Sequence, residues 1–498
     1  SIPPDNPFLD TPNARPETWA LGFRNPWRLT CDEKTGHIWV GENGQDLWES
    51  AKLVEKGANY GWSVYEGSHP FYLERKLGPG KLRQPTVEHH HREARSLTGG
   101  IVYHGNVLPK LRGAYIYGDY STGKVWAAKH NGEELLWHRE IADTPFQITG
   151  FGVDTRGNLL VIDESSGFHK FIPNPDAKKK SNFPTKLSKT GLFKNTRNLT
   201  PHPALIPYSV NLPHWTDGAK AQHYIALPGD ANTTIKFTGG RAWNLPENSV
   251  LVQTLTLEDK RIETRLLTKQ QKEWIGYTYK WNDNQTDATL VGPDGEDLIL
   301  KTGDAPRQWR IPGRAECMMC HGRAAQYVLG LNEMQMNREH DYGDFKAHQF
   351  QVLDQLGVLK GSKWADYTGD GAKKGNRLVT ADDTMQDLEP RVRSYWAANC
   401  AHCHVEAGGG NAQMKLDYRT TLDKTGTIDA RPVHKNYGIG ENARIISPGR
   451  PDHSVMLQRI VGVAEGRMPP IGTTTLDPQW VNLLVEWIRQ VEKPKAHP

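Results

Sequence analysis

The chain has 498 residues, too many for one compact core, and this length predicts about three or four domains. A hydrophobic fraction of 37% with 9% aromatics predicts a folded protein, while a net charge of only +4 gives no footing for nucleic-acid binding. No apolar run approaches the ~20 residues a membrane helix needs, so no membrane span is expected.

Residues 1–173 read as short strands separated by Gly and Asp at short intervals, the pattern of an all-β fold. His37-Ile38-Trp39-Val40, Ala114-Tyr115-Ile116-Tyr117 and Asn158-Leu159-Leu160-Val161-Ile162 are such runs, and Thr155-Arg156-Gly157-Asn158 is a hairpin turn. Cys31, just before the turn Asp32-Glu33-Lys34-Thr35-Gly36, reads as a small buried apolar residue rather than a reactive thiol.

Five motifs in this region carry a family resemblance. They are Phe23-Arg24-Asn25-Pro26-Trp27-Arg28, Gly41-Glu42-Asn43-Gly44-Gln45, Asn59-Tyr60-Gly61-Trp62, Leu97-Thr98-Gly99-Gly100 and Tyr117-Gly118-Asp119-Tyr120. They resemble the C-terminal half of the glucose/sorbosone dehydrogenase β-propellers, over about a third of the chain. An open half-propeller leaves strand edges and core faces exposed. The remaining blades are therefore expected upstream of Ser1 or on a separate chain.

The resemblance implies a central funnel that binds pyrroloquinoline quinone, often with Ca²⁺, and a sugar or alcohol substrate oxidised by hydride transfer. Arg24 and Asn25 match the family's cofactor-binding Arg-Asn pair, the guanidinium suiting a cofactor carboxylate. The histidine that accepts the substrate proton would lie upstream. Lys124 is near, but Phe146-Gln147-Ile148-Thr149-Gly150 supplies no further basic clamp. At least one of His89, His90 and His91 is expected to face the funnel. Adjacent strand residues point to opposite faces, which argues against a three-histidine metal site.

Residues 174–183, with Pro175 and Lys178-Lys179-Lys180, have linker composition. Residues 184–310 read as an antiparallel, sandwich-like β domain without a catalytic motif. Ser249-Val250-Leu251-Val252-Gln253-Thr254-Leu255-Thr256-Leu257 alternates as a half-buried strand does, and Gly276-Tyr277-Thr278-Tyr279-Lys280-Trp281-Asn282 is another strand. His202, His214 and His223 read as structural or exposed.

From about residue 311 the pattern turns helical. Residues 348–356 have apolar spacing closed by Gly357. Leu388-Glu389-Pro390-Arg391-Val392-Arg393-Ser394-Tyr395-Trp396 carries Pro near a helix start. Asp477-Pro478 is an N-cap and first-turn pair opening a last helix whose stripe is Trp480, Leu483, Leu484, Trp487 and Ile488. That stripe is expected to pack on Val392, Tyr395 and Trp396.

Four of the five cysteines fall in two runs, Cys317-Met318-Met319-Cys320-His321 and Cys400-Ala401-His402-Cys403-His404. CxxCH is the spacing of covalent c-type haem attachment: two cysteines form thioethers and the histidine ligates the iron from the proximal side. Two haems c are therefore expected, with His321 and His404 as proximal ligands, one in a first haem domain (311–385) and one in a second (386–498), both mainly α. The fold class is multidomain: a propeller portion, an antiparallel β domain and two cytochrome c-like domains. Haem c attachment also predicts a periplasmic or extracellular location and a targeting segment ahead of Ser1.

At the second haem, Met468 in Gly466-Arg467-Met468-Pro469-Pro470 resembles the Met-Pro loop of class I cytochromes c and is the expected distal ligand. His/Met ligation raises the reduction potential. Met414 and Met456 are weaker candidates, and His402 is expected to point outward as a non-ligand. At the first haem the distal side stays open among Met334, Met336, His340, the more distant His348 and an open position, while Met318 and Met319 read as packing residues.

Residues 184–498 also resemble the dihaem c-type cytochrome modules of planctomycete-like extracytoplasmic bacterial proteins. Pro207-Tyr208-Ser209-Val210-Asn211, Glu263-Thr264-Arg265-Leu266-Leu267, both haem motifs, Asn337-Arg338-Glu339-His340-Asp341-Tyr342-Gly343 and Ser447-Pro448-Gly449 carry that resemblance. Two function classes follow. One is an electron carrier passing electrons from a propeller dehydrogenase to an external redox partner, itself a cytochrome or dehydrogenase. The other is a quinohaemoprotein dehydrogenase with its own haem relay. A haem peroxidase would require an open first iron.

Overall fold

The computed structural model describes residues 2–492 apart from 176–178, 180, 231–232, 240–241, 271–272, 303–304, 363, 368–375, 407, 409, 411, 413, 434 and 463–465. Most of the lysine run expected in the linker lies outside the described residues. The chain divides into two compact units, Ser1–Ser181 and Asn182–Pro498.

The first unit is built from three antiparallel meanders, a propeller-like arrangement. One consists of β1 (Pro26–Cys31), β2 (Ile38–Glu42), β3 (Trp48–Val54) and β4 (Val87–His90), in that spatial order. The next is β5 (Leu97–Tyr103), β6 (Ala114–Asp119), β7 (Lys124–His130) and β8 (Leu135–Asp143). The last is β9 (Ile148–Val153), β10 (Leu159–Asp163) and β11 (Gly167–Lys170). The predicted turn between β9 and β10 forms because Asp154 accepts the amides of Arg156 and Asn158 at 2.9 and 2.8 Å. Gly157 there has φ +79°, which glycine takes without a Cβ clash. Trp39 stacks on Tyr115 at 4.6 Å in the core.

Cys31 is exposed, not buried. It ends β1, an edge strand whose outer surface lies open, with Trp27 and Leu29 61% and 65% exposed. Phe168 on β11, at the edge of the third meander, is 73% exposed.

The second unit centres on a six-stranded antiparallel sheet. Its order is β12 (Ile206–Tyr208), β13 (Lys220–Ala226), β14 (Val250–Leu257), β15 (Lys260–Gln270), β16 (Glu273–Trp281) and β17 (Ala288–Leu290). β14 is buried on both faces rather than half-buried. Val252 enters the core that holds Leu187, Leu266 and Tyr279, while Leu255 packs with Trp309 and Ile311 from the hairpin of β18 (Glu296–Thr302) and β19 (Ala305–Ile311).

The α-helices of the described residues all follow Gly313. They are α1 (Arg314–Cys320), α2 (Glu333–Met336), α3 (Gln349–Gln355), α4 (Leu388–Asn399), α5 (Val455–Val461) and α6 (Pro478–Gln490). They are few and mostly short, so the molecule is β-rich overall. None is long and apolar enough to cross a membrane. The segment 311–385 shares its core with the β region: Tyr208, Ile225 and Trp243 pack in one cluster with Met336, Phe350 and Leu353. Residues beyond 386 form a separate core around α4 and α6. There Tyr395 stacks on Trp480 at 4.1 Å and Trp396 meets Trp487 edge-on at 5.3 Å, the pairing the apolar stripes predict.

Candidate functional site

In the second unit the two CxxCH runs come together. The first occupies the end of α1, whose start is closed by Glu316 accepting the Gly313 amide at 2.7 Å. This helix packs on β16: a Cβ at Gly276 would come within 2.7 Å of Cys317 Cβ and 2.9 Å of its Sγ. The second run begins where α4 ends. Cys403 Sγ lies 3.7 Å from the carbonyl oxygen of Met319, so the two loops touch.

The two motif histidines differ: among the described residues His321 has an orienting contact on Nδ1 and His404 has none. His321 Nδ1 is 2.6 Å from the Tyr327 carbonyl. Metal-bound histidines are commonly oriented by such a contact, which leaves Nε2 for the metal. His404 is buried, and its Nδ1 has no hydrogen-bond partner among the described residues. A Cβ at Gly410 would meet that nitrogen at 2.5 Å, so glycine permits the ring's position. Burial pushes both imidazoles down to about 4, with Arg459 and His402 adding to the effect at His404. Both are therefore neutral at neutral pH, the form that binds a metal. Burial raises the Cys317 and Cys400 thiols to about 12. All four motif cysteines are free thiols. This donor set fits haem c at both runs.

Met468 is half-buried and its amide donates to Arg459 O at 2.8 Å. Arg459 in turn donates to Gly466 O at 2.8 Å and its charge bears on His404, which ties the Met468 loop to the His404 site. Met456 is buried in the core around α4 and α6, and Met414 packs against it.

Of the distal candidates at the first run, the structure brings only Met334 to the cleft beside the motifs. That cleft is also lined by Leu378, Ala397, Ala401, His402 and Tyr418. Met336 is fully buried in the apolar core. His340 is bonded to Ser209 Oγ at 2.7 Å, and His348 to Asn337 Oδ1 at 3.1 Å while capping α3. Met318 packs against the core as expected of a packing residue. His402 does not point outward: it lines the cleft, and its ring lies 5.8 Å from that of His214. The cause is the packing of the two attachment loops against each other. His223 bonds to Gln253 at 3.2 Å, and His202 is exposed.

Sequence reasoning missed a buried ion pair under the first run. On β15, Arg265 donates to Glu263 Oε1 at 2.7 Å, and Trp309 Nε1 reaches the same oxygen at 3.1 Å. Arg265 Nε and Glu263 Oε2 are buried with no hydrogen-bond partner among the described residues. Burial opposes the charge on Arg265, but Glu263, with the Cys317 and Cys320 sulfurs nearby, raises its pKa above the ordinary guanidinium value. The available signal was two opposite charges, Glu263 and Arg265, at period two and so on one face of the strand.

In the first unit a smaller cavity is lined by Arg24, Glu42, Lys52, Tyr60, Trp62 and Glu66 among others. Arg24 Nε donates to Gln45 Oε1 at 3.0 Å and Nη1 to Asn43 O at 3.1 Å. Asn25 is exposed beside it. Buried Glu66 accepts the successive amides of Gln45, Asp46 and Leu47 at 2.5, 2.5 and 3.2 Å. Buried Glu49 accepts from Gly44, Leu97 and His91 at 3.2, 2.8 and 2.9 Å, and burial holds its carboxyl above the usual range. Lys52 is paired with Glu42.

The three adjacent histidines go to separate partners: His89 to Glu93 and Tyr117, His90 edge-on to Trp48, His91 to Glu49. Lys124 is held by Glu140 at 2.5 Å. A tricarboxylate such as pyrroloquinoline quinone needs converging cations, and here Arg24 is committed to Gln45 and Asn43 and Lys52 is paired with Glu42. The residues of this unit do not by themselves form that cradle.

Residues 1–167 match the family model described as Glucose / Sorbosone dehydrogenase. The chain is 37% identical over 140 residues to the HIPL1 protein of Arabidopsis thaliana, covering 26% of this chain and 20% of that protein. It is 26% identical over 174 residues to the aldose sugar dehydrogenase YliI of Escherichia coli, covering 33% and 46%. Among solved structures, a glucose dehydrogenase aligns at 24% identity and a TM-score of 0.31, over 35% of this chain and 52% of that one. The chain thus spans from about a fifth to about half of the length of these curated relatives.

Proposed function

We propose that this chain couples a glucose/sorbosone dehydrogenase-type domain, residues 1–167, to a dihaem c-type electron-transfer module downstream, in a sugar- or alcohol-oxidising protein of the periplasm or cell exterior. The family match over residues 1–167 supports the dehydrogenase side. The observation that carries the haem side is the contact of His321 Nδ1 with Tyr327 O at 2.6 Å inside a CxxCH run.

When bound, haem c supplies one-electron chemistry at iron. The chain's residues do the rest. Cys317, Cys320, Cys400 and Cys403 attach the groups. His321 and His404 would hold the groups through neutral imidazoles, and Met468 would be the further ligand of the second. The half-buried cleft around Met334 and His402 restricts water at the first. Residues 184–310 act as the β scaffold of the first haem domain, 311–385, with which they share a core, and residues 386–498 are the second haem domain. A quinone and Ca²⁺ belong to the reading only with further blades: the exposed Trp27, Leu29 and Phe168 at the outer edges of the meanders support such covering blades. Arg24 and Asn25 are this chain's contribution to that pocket. The electron outlet is a redox partner protein.

The test is haem reduction by candidate aldoses in matured protein joined to its complete propeller, with and without added quinone and Ca²⁺. Quinone-dependent reduction of both haems is expected. Two attached haems that no sugar reduces would leave an electron carrier without a dehydrogenase of its own.

A further inference from the structure

One segment of the second unit touches both haem-attachment regions. Ser209 exchanges two hydrogen bonds with Gln349 at 2.7 and 3.0 Å. Asn211 Nδ2 donates to Met334 O at 2.9 Å and Asn337 O at 3.2 Å. Leu212 exchanges two bonds with the Gln335 amide at 2.9 and 2.8 Å. This first half is fastened to α2 and α3, beyond the first run.

The second half is fastened beside the other run. Trp215 N donates to Asn399 Oδ1 at 2.7 Å, one residue before Cys400, and Trp215 Nε1 to Thr475 O at 3.1 Å. Asp217 is buried and receives four groups: the amides of Thr474 and Thr475, each at 2.9 Å, and their hydroxyls at 2.8 and 3.0 Å. Arg467, next to Met468, holds the same turn through Thr473 O at 2.7 Å and Thr475 O at 3.0 Å. His214, midway, faces His402, and the Met319–Cys403 contact lies between the two runs.

We propose that residues 209–217 form a strap that sets the spacing of the two haem-attachment loops, with Asp217 as its positioning residue, so that groups attached there are held in direct electronic contact. The inference rests on the dihaem reading. Its physical basis is that a carboxylate accepting four donors in a buried turn is costly to move, whereas the direct loop contact at 3.7 Å is a single weak one. Asp217 acts through Thr474 and Thr475 on the loop that carries Met468, and through neighbouring Trp215 on the end of α4.

The experiment uses the matured full chain. Intact mass counts attached haems. Soret-region circular dichroism reads their electronic contact as a two-signed couplet, and a redox titration reads whether the two oxidations influence each other. Wild type is expected to show two haems, a couplet and interacting oxidations. Asp217→Ala should keep both haems while the couplet loses most of its amplitude and the oxidations become independent. Asp217→Asn should fall between. Should Asp217→Ala fail to fold, the Thr474→Val/Thr475→Val pair, which removes only the hydroxyl donors, decides by a partial loss of the couplet. Two haems without a couplet in wild type, or an undiminished couplet in folded variants, overturns the strap. Fewer than two haems in wild type overturns the dihaem reading instead.

Discussion

In the N-terminal unit Glu66 receives three backbone amides and Glu49 two amides and a histidine, so these buried carboxylates are taken up by the protein itself. In the C-terminal unit His404 Nδ1, Arg265 Nε and Glu263 Oε2 are buried with no partner among the described residues. A buried polar group that is fully bonded explains its own presence, because it supports a loop. A buried polar group left over asks for something else to be there, since leaving it unmade costs about 1–3 kcal/mol. The contrast is one of degree, since Asn43 Oδ1 beside the Glu66 loop is also buried with no partner among the described residues: the first cluster is mostly architecture, and the second is the one our proposal assigns to a resident group.

The largest expected effect breaks or upholds that contrast outright. Cys400→Ser with Cys403→Ser should remove one of the two attached haems, and Cys317→Ser with Cys320→Ser the other, read by intact mass and haem absorbance. Unchanged haem content in either pair would mean that the leftover groups mark no attachment site. Gly276→Ala sharpens the first site alone, because the added Cβ would press on Cys317, and attachment there should fall while the second haem stays.

Next in size is Glu66→Ala, which strands three amides in a buried loop and should cost about 3 kcal/mol or more. Denaturant unfolding of the N-terminal unit measures it, with Glu66→Gln losing less because one acceptor oxygen remains. A cost below about 1 kcal/mol would show that water, not Glu66, satisfies the loop.

A pH effect of intermediate size is expected in the same unit. His138 shares Tyr117 OH with His89 at 2.8 Å, and burial, with His89 adding, pushes it down to about 4 from 6.5. Above 6.5 the imidazole is neutral in folded and unfolded chains alike. Between 6.5 and about 4 the unfolded chain takes up a proton that the native state does not. Stability is therefore present above pH 6.5 and lost as the pH falls toward 4. His90, also lowered to about 4 by burial, acts in the same direction. His138→Gln should flatten the slope of denaturation midpoint against pH, and an unchanged slope would assign the effect to other groups.

Much of this was legible in the sequence, and the rest was hidden for identifiable reasons. Local signals read well. Gly157 at its turn, Gly357 after α3 and the α6 stripe against Tyr395 and Trp396 all depend on neighbours in sequence or on one helical period. Both CxxCH runs are local too. What failed was anything decided by packing across the chain. β14 alternates as a half-buried strand would, yet the 296–311 hairpin covers its second face. Cys31 lies at the end of an edge strand and is exposed there. His340 and His348 stand at plausible distances from His321 in sequence but are bonded to Ser209 and Asn337. His214 and Asp217 join partners 184 or more residues away, as Trp215–Asn399 and Asp217–Thr474 show, and no spacing rule reaches that far.

The smallest expected effect tests how separable the haem-facing groups are from the core that supports them. Asp477 caps α6 by accepting the Trp480 amide at 3.1 Å, with Pro478 at the first helical position. Asp477→Ala should cost about 1 kcal/mol, and Asp477→Asn much less, because asparagine caps nearly as well. α6 carries Trp480, Leu483, Leu484, Trp487 and Ile488 into the core around Trp396. None of them lines the cleft beside the CxxCH runs. Asp477→Ala should therefore lower the thermal midpoint while haem content and the haem spectrum stay as in wild type. If haem is lost along with stability, the terminal core and the second attachment loop form one cooperative element, and the leftover Nδ1 of His404 would reflect that core's packing rather than a site with its own occupant.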